Sequence, residues 1–360
     1  MLPVPHPITT DSGFDASSDA SADGSWQREL AKAVRSADEL LRRLGLVLPH
    51  ESLETAMVRL GISDQNAEYL RRFPVLVPEN FLKRMRPGDA SDPLLRQVLP
   101  LAAEAAIVDG FVSDAVGDLA ARRTDGLIQK YEGRVLLIAA SACAVHCRYC
   151  FRKEYPYEAE PRRLDDWQPA ISEIASDTSI TEVIFSGGDP WMLSDQRLQA
   201  LCSAIDAIPH IERIRFHTRL PIVLPSRITS DLLKLMTGLR SQPIVVVHAN
   251  HANEIADDCE VVLREMVRSG VPVLNQSVLL AGVNDSVDAL EALSRRLVNI
   301  GVMPYYLHQL DQVSGTAHFE VAKSRGVELL RELASRLPGY AVPRYVQEIP
   351  GRTGKTPIML

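Results

Sequence analysis

Residues 134–151 read RVLLIAASACAVHCRYCF. The first part, VLLIAA, is a short, continuous apolar run of the kind a strand buried on both faces requires. Immediately behind it stand Cys143, Cys147 and Cys150, spaced CxxxCxxC. Five more such runs follow in EVIFSGG, RIRFHT, IVVVHAN, VPVLNQSVLL and MPYYLHQL. Between them lie amphipathic stretches at about 165–176, 194–207, 229–238, 254–268, 286–299 and 320–336, several opening on a Ser, Thr, Asp or Asn cap. Strands alternating with helices imply parallel pairing with crossover connections. The fold class is therefore α/β. Six units fall short of a closed eightfold barrel, so the reading is an open, partial (β/α)6 barrel with its active site at the strand C-termini.

Around this core the composition divides the chain. Residues 1–25, rich in Ser, Asp, Ala and Pro, are expected to be a flexible leader. Residues 26–121 carry helical spacing and no convincing strand. Residues 122–343 form the barrel, and 344–360, punctuated by Gly and Pro, read as an irregular tail. With 360 residues, 46% hydrophobic, one large core and an accessory region are affordable. The net charge of -7 is interspersed and offers no basic stripe, which disfavours direct nucleic-acid binding. No apolar run approaches the roughly 20 residues needed to span a bilayer, and no signal peptide opens the chain, so the expectation is a cytoplasmic protein.

Five cysteines, three of them within eight residues, do not suit a disulfide framework. Cys202 and Cys259 stand in helical sequence and read as buried free thiols. The clustered three suit metal. Three thiolates on a four-iron cubane leave one iron open to an outside ligand. The same spacing also fits structural zinc held by three thiolates and His146. A second polar turn, Ser186-Gly187-Gly188-Asp189, follows the second strand, where adjacent glycines allow close backbone approach to a ligand or simply a tight βα turn. His248 and Gln276 lie at later strand ends, where polar residues mark either a site or satisfied loop backbone.

The cysteine spacing with Tyr149 before the third cysteine resembles the radical S-adenosylmethionine superfamily over about residues 130–310. The resemblance narrows to the lysine 2,3-aminomutases through KYEGRVLLIAASACAVHCRYCFRK, SGGDPW, LPSRIT, NQSVLLAGVND, PYYLHQLD, HF, GYAVP and GKTP. It implies a 4Fe–4S cluster on Cys143, Cys147 and Cys150. It implies S-adenosylmethionine on the open iron, facing Ser186, Gly187, Gly188, Asp189, His248 and Gln276. It further implies pyridoxal 5′-phosphate bound to Lys355 as the catalytic lysine of the tail, with Tyr131 stacking on the ring and Arg134 at the phosphate. Arg152 is the implied clamp for the substrate carboxylate, and Asp311 and Glu348 the implied acids for a substrate ammonium.

Two departures matter. Glu348 replaces the Asp of the fermentative enzymes, and the sequence given stops without their cysteine-bearing extension. Both traits resemble the branch that makes (R)-β-lysine from L-lysine for elongation factor P, onto which a separate lysyl ligase transfers it. The implied partners are L-lysine, a reductant such as flavodoxin or ferredoxin, and, by function, elongation factor P with its ligase; a homo-oligomer is compatible with this. The competing expectations are an aminomutase acting on glutamate and a zinc-stabilised, non-catalytic scaffold for the same modification.

Overall fold

In the computed structural model, residues 24–62 and 73–359 are described. The expected leader lies almost wholly outside them; at its last residue, Ser25, a helix already begins. Among the described residues five short helices come first: α1 (Ser25–Ala31), α2 (Ala37–Arg43), α3 (Leu53–Arg59), α4 (Glu79–Leu82) and α5 (Pro93–Arg96). Regular helix then stops. After a 3-10 turn at Ala102–Ala105, residues 106–121 run as an irregular strap that touches the far side of the sheet through the bridge Val112↔Val313, where helical spacing was expected.

The sheet follows as β1 (Arg122–Thr124), β2 (Leu127–Tyr131), β3 (Arg134–Ala140), β4 (Glu182–Gly187), β5 (Arg213–Thr218), β6 (Gln242–His248), β7 (Val273–Val278), β8 (Met303–His308), β9 (Arg344–Gln347) and β10 (Thr356–Pro357), hydrogen-bonded in that order. β1 to β3 are antiparallel, β3 to β9 parallel, and β10 turns back on β9. All six apolar runs are strands. The tail is not irregular: Arg344–Gln347 is a seventh parallel strand and Thr356 pairs with Gln347. Four residues of mixed polarity at a sheet margin carry no apolar run, which is why RYVQ does not announce itself.

The crossover helices are α6 (Gln168–Ser176), α7 (Asp195–Asp206), α8 (Leu220–Val223), α9 (Ser230–Thr237), α10 (Asp257–Arg268), α11 (Val287–Asn299) and α12 (Lys323–Arg336). Ser194, Thr229 and Ser286 cap α7, α9 and α11 by accepting from the backbone N–H of Arg197, Leu232 and Ala289. Leu198, Leu201, Leu232, Leu263, Leu293 and Leu297 press onto the outward strand residues Val183, Ile214, Phe216, Val245 and Val273 in one core that also takes in Trp26, Phe81 and Leu94 from the N-terminal helices.

The sheet is curled. The Tyr131 hydroxyl at the end of β2 donates to Glu348 just beyond β9 at 2.6 Å. On a flat sheet those strands would stand seven spacings apart, ~34 Å at ~4.8 Å each. The two margins therefore approach each other around an interior, and inward residues of alternate strands face a shared space.

Candidate active site

The cysteine loop leaves β3 and is held from outside by the N-terminal region. His146 N–H donates to the Leu76 carbonyl at 3.1 Å, and its ring Nδ1 lies 2.8 Å from the Pro74 carbonyl oxygen while stacking on Phe73. Arg148, fully buried, donates to both carboxylate oxygens of Glu104 and to the Phe73 carbonyl. His146 is thus held by the segment 73–76 ahead of α4 rather than by the thiols, and the zinc set loses its fourth ligand. Among the described residues no three His, Cys, Asp or Glu side chains converge on one ion position. A cubane makes no such demand, since its thiolates bind different irons.

The thiols fit such a cluster chemically. Burial first, and the neighbouring Cys147 next, push Cys150 up to about 12, and burial drives Cys143 upward as well. Thiolates crowded this closely repel one another and call for positive charge, which ligated iron supplies. One such charge is already present: Arg219 Nη1 donates to Cys147 Sγ at 2.6 Å, while its Nη2 donates to Glu254 at 2.8 Å and Gln97 at 2.6 Å.

The turn at 186–189 is packed against the start of the cysteine loop. Gly188 N–H donates to Ala140 O at 2.7 Å and Asp189 N–H to Ala142 O at 2.8 Å. A Cβ on Gly188 would stand 2.3 Å from Ala142 O, and one on Gly187, at φ +115, 2.4 Å from Ala140 O. The adjacent glycines are required here by neighbouring backbone. Asp189 is buried and accepts from Thr218 Oγ1 and from the N–H groups of Trp191 and Arg219, so its carboxylate ties its own turn to the end of β5. Gly187 O accepts from Tyr157 and Ser186 Oγ from Arg152.

Further round the interior the implied substrate and pyridoxal residues gather. Lys355 Nζ lies 2.5 Å from Glu348 Oε2, and Tyr131 donates to Glu348 Oε1. Arg134 lies over the Tyr131 ring at 4.5 Å, the two residues paired across the β2–β3 turn. Burial, the largest single influence, would raise Glu348, but Lys355, Tyr131 and Lys130 together outweigh it and hold the carboxyl low. Asp311 goes the other way: burial, only partly offset by Lys355, lifts it to about 6. On β6 and β7, His248 and Gln276 sit side by side in register and share a 2.9 Å hydrogen bond; burial pushes His248 down to about 3.

Several residues of this interior carry no mark in the sequence reading. Asp118, from the strap, is 1% exposed and meets Arg152 Nε at 2.6 Å and Lys130 Nζ at 2.5 Å. His217 and His308 each leave a buried Nε2 without a hydrogen bond among the described residues. The alternation Arg213, Arg215, His217 in RIRFHT is a signal that would have marked an inward polar face on β5. Asp118 has no such signal, because a loop acid carries no period.

Comparison with known proteins defines the class first: the 4Fe–4S single cluster domain family matches residues 131–216, the span from the end of β2 through most of β5. Whole-chain relatives then narrow it. The chain is 42% identical to L-lysine 2,3-aminomutase of Escherichia coli over 93% of its own length and 94% of that protein's. It is 38% identical to that of Haemophilus influenzae over 92% and 94%, and 31% identical to that of Clostridium subterminale over 93% and 77%. The chain belongs to the lysine 2,3-aminomutase family, whose members are isomerases using a 4Fe–4S cluster, S-adenosylmethionine and pyridoxal phosphate. Among solved structures, a radical SAM methyltransferase from Sphaerobacter thermophilus overlaps 61% of this chain and 68% of that one at 18% identity and a TM-score of 0.44. Among the described residues no helix is long and apolar enough to cross a membrane.

Proposed function

We propose that this chain moves the amino group of L-lysine from the α- to the β-carbon, giving (R)-β-lysine for the modification of elongation factor P. One observation carries the substrate: the guanidinium of Arg152 and the carboxylates of Glu348 and Asp311 belong to one line of charged contacts, a cation for a carboxylate and acids for an ammonium. An L-glutamate substrate would set a second carboxylate against Asp311 and Glu348, a like-charge contact that burial makes worse. A non-catalytic scaffold has no use for this arrangement.

When bound, the cluster and S-adenosylmethionine supply the radical that takes hydrogen from the substrate, and pyridoxal phosphate supplies the aldehyde that carries the migrating nitrogen. Cys143, Cys147 and Cys150 would hold the cluster, with Arg219 countering thiolate charge at Cys147. The Ser186–Asp189 turn, His248 and Gln276 would face S-adenosylmethionine. Tyr131, Arg134 and Lys355 would hold pyridoxal phosphate. Glu348 Oε2, 2.5 Å from Lys355 Nζ, holds this lysine's ammonium in place. Arg152 binds and orients the substrate carboxylate, and the buried interior keeps water from reactive species.

A reducing one-electron donor of the flavodoxin or ferredoxin kind and a cytoplasmic location accompany this reading, since clustered thiols and an iron–sulfur site need reducing surroundings. Glu348, departing from the fermentative Asp, supports the elongation factor P branch. The test is a paired anaerobic assay with reductant and cofactors, L-lysine against L-glutamate. Conversion of L-lysine alone is expected; conversion of L-glutamate in preference would overturn the substrate assignment.

A further inference from the structure

The strap at 106–121 delivers one acid to the interior, and the way it is held there is specific. Val112 N–H donates to Gln312 O, and Ser314 N–H to Val112 O, tying the strap to the loop after β8 that bears Asp311. Asp114 accepts from the N–H groups of Asp118 and Leu119 at 2.8 and 3.0 Å, fixing the turn that projects Asp118 inward. Lys130 Nζ donates to Val116 O at 2.7 Å from the opposite side. Asp118 is thereby set between two cations, one on each oxygen: Arg152 Nε on Oδ2 and Lys130 Nζ on Oδ1. Burial alone would raise its carboxyl, but the Arg152 and Lys130 charges pull it down to about 2.

A guanidinium presents two bidentate edges, Nε with one terminal nitrogen, or the two terminal nitrogens together. Asp118 occupies Nε, so the first edge is closed. Nη1 gives one hydrogen to Ser186 Oγ at 3.1 Å, the Phe151 ring covers the guanidinium at 4.7 Å, and Nη2 makes no hydrogen bond among the described residues. The terminal edge is left for a carboxylate. Asp118 also restrains Lys130, whose ammonium lies 3.6 Å from Glu348 Oε1. Freed from Asp118, that ammonium would settle on Glu348 and compete with a substrate cation.

We propose that Asp118 is a positioning residue of the substrate site, orienting Arg152 so that its terminal edge meets the substrate carboxylate and keeping Lys130 off the acids that take the substrate ammonium. This rests on the L-lysine reading above. It adds a residue that never touches substrate, acting through Arg152 and Lys130.

The test is equilibrium binding to the pyridoxal-loaded protein without reductant, read from the cofactor absorbance band, with L-lysine and with 1,5-diaminopentane, which lacks only the carboxylate. Charge-assisted contacts contribute ~10- to 100-fold each, so Asp118→Asn should weaken L-lysine by about that factor and reduce its advantage over the diamine. A merely structural loss would lower both ligands together and leave the ratio unmoved. In an Arg152→Lys background, adding Asp118→Asn should change the ratio little, because the partner it orients is gone. Should Asp118→Asn fail to load the cofactor, Asp118→Glu, which keeps the charge at a displaced position, is read instead and the ratio must again fall. An unchanged ratio in whichever variant loads overturns the role of Asp118. A parent protein that binds L-lysine no better than the diamine overturns the substrate reading itself.

Discussion

Gly188→Ala is the substitution whose consequence follows most directly from geometry. The new Cβ would lie 2.3 Å from Ala142 O, 2.8 Å from Ala142 C and 2.9 Å from Ser141 C, where ordinary contact begins at 3.4 Å. All three atoms are backbone, so no side chain can swing aside, and the cysteine loop must retreat by about 1 Å. Two backbone hydrogen bonds, Gly188 N–H to Ala140 O and Asp189 N–H to Ala142 O, are lost in doing so. At ~1 kcal/mol for each bond and ~1–3 kcal/mol for the overpacking, the variant should be less stable by about 3–5 kcal/mol. Ala142 adjoins Cys143, and metal sites tolerate only ~0.2 Å of ligand displacement, so cluster assembly should suffer more than folding. The assay is iron and sulfide content after anaerobic reconstitution, beside the urea midpoint followed by circular dichroism. Gly339→Ala, where a Cβ meets nothing within 4 Å, is the control and should match the parent. Full iron and an unchanged midpoint in Gly188→Ala would refute the claim that these glycines exist for backbone contact.

Other expectations follow from the same structure. Lys355→Ala should abolish the borohydride-reducible pyridoxal band while leaving iron and sulfide at parental levels, since none of the three cysteines depends on it. Asp311, lifted to about 6 by burial, holds its proton to higher pH when folded than its ordinary value near 4 allows. Its effect on stability therefore weakens the fold as pH rises from about 4 to 6 and is constant above. Its charge, and with it part of the affinity for L-lysine, should disappear as pH falls through about 6, and Asp311→Asn should flatten that portion of the binding profile. Arg148→Met leaves Glu104 buried with its main partner removed, at a cost of ~3–5 kcal/mol measurable by urea unfolding.

The six strands β3 to β8 were legible because each carries apolar side chains on at least one face over six or seven residues, and Ser194, Thr229 and Ser286 do cap three of the helices between them. β9 and β10 were not, being four and two residues at a margin where polar side chains are tolerated. Residues 106–121 misled in the opposite direction. Phe111 and Val116 pack beneath the strap while Ile107, Val112 and Leu119 are exposed, and spacing alone does not distinguish that from a helix face. At the site, the cysteine spacing spoke for itself. That Arg152, Glu348, Tyr131 and Lys355 lie near one another came only through resemblance, because they stand in separate loops and strands and meet only when the sheet curls. Asp118 and Lys130 were invisible for the same reason and lacked a motif. The Ser186–Asp189 turn was noticed, yet in the structure its glycines answer to Ala140 and Ala142, and Asp189 to Thr218, Trp191 and Arg219.

The most direct test of the account is chiral analysis of the product formed from L-lysine by the reconstituted, reduced and pyridoxal-loaded protein under anaerobic conditions. The account predicts (R)-β-lysine, with none from Lys355→Ala. Protein replete in iron and pyridoxal phosphate that leaves L-lysine unchanged would contradict it.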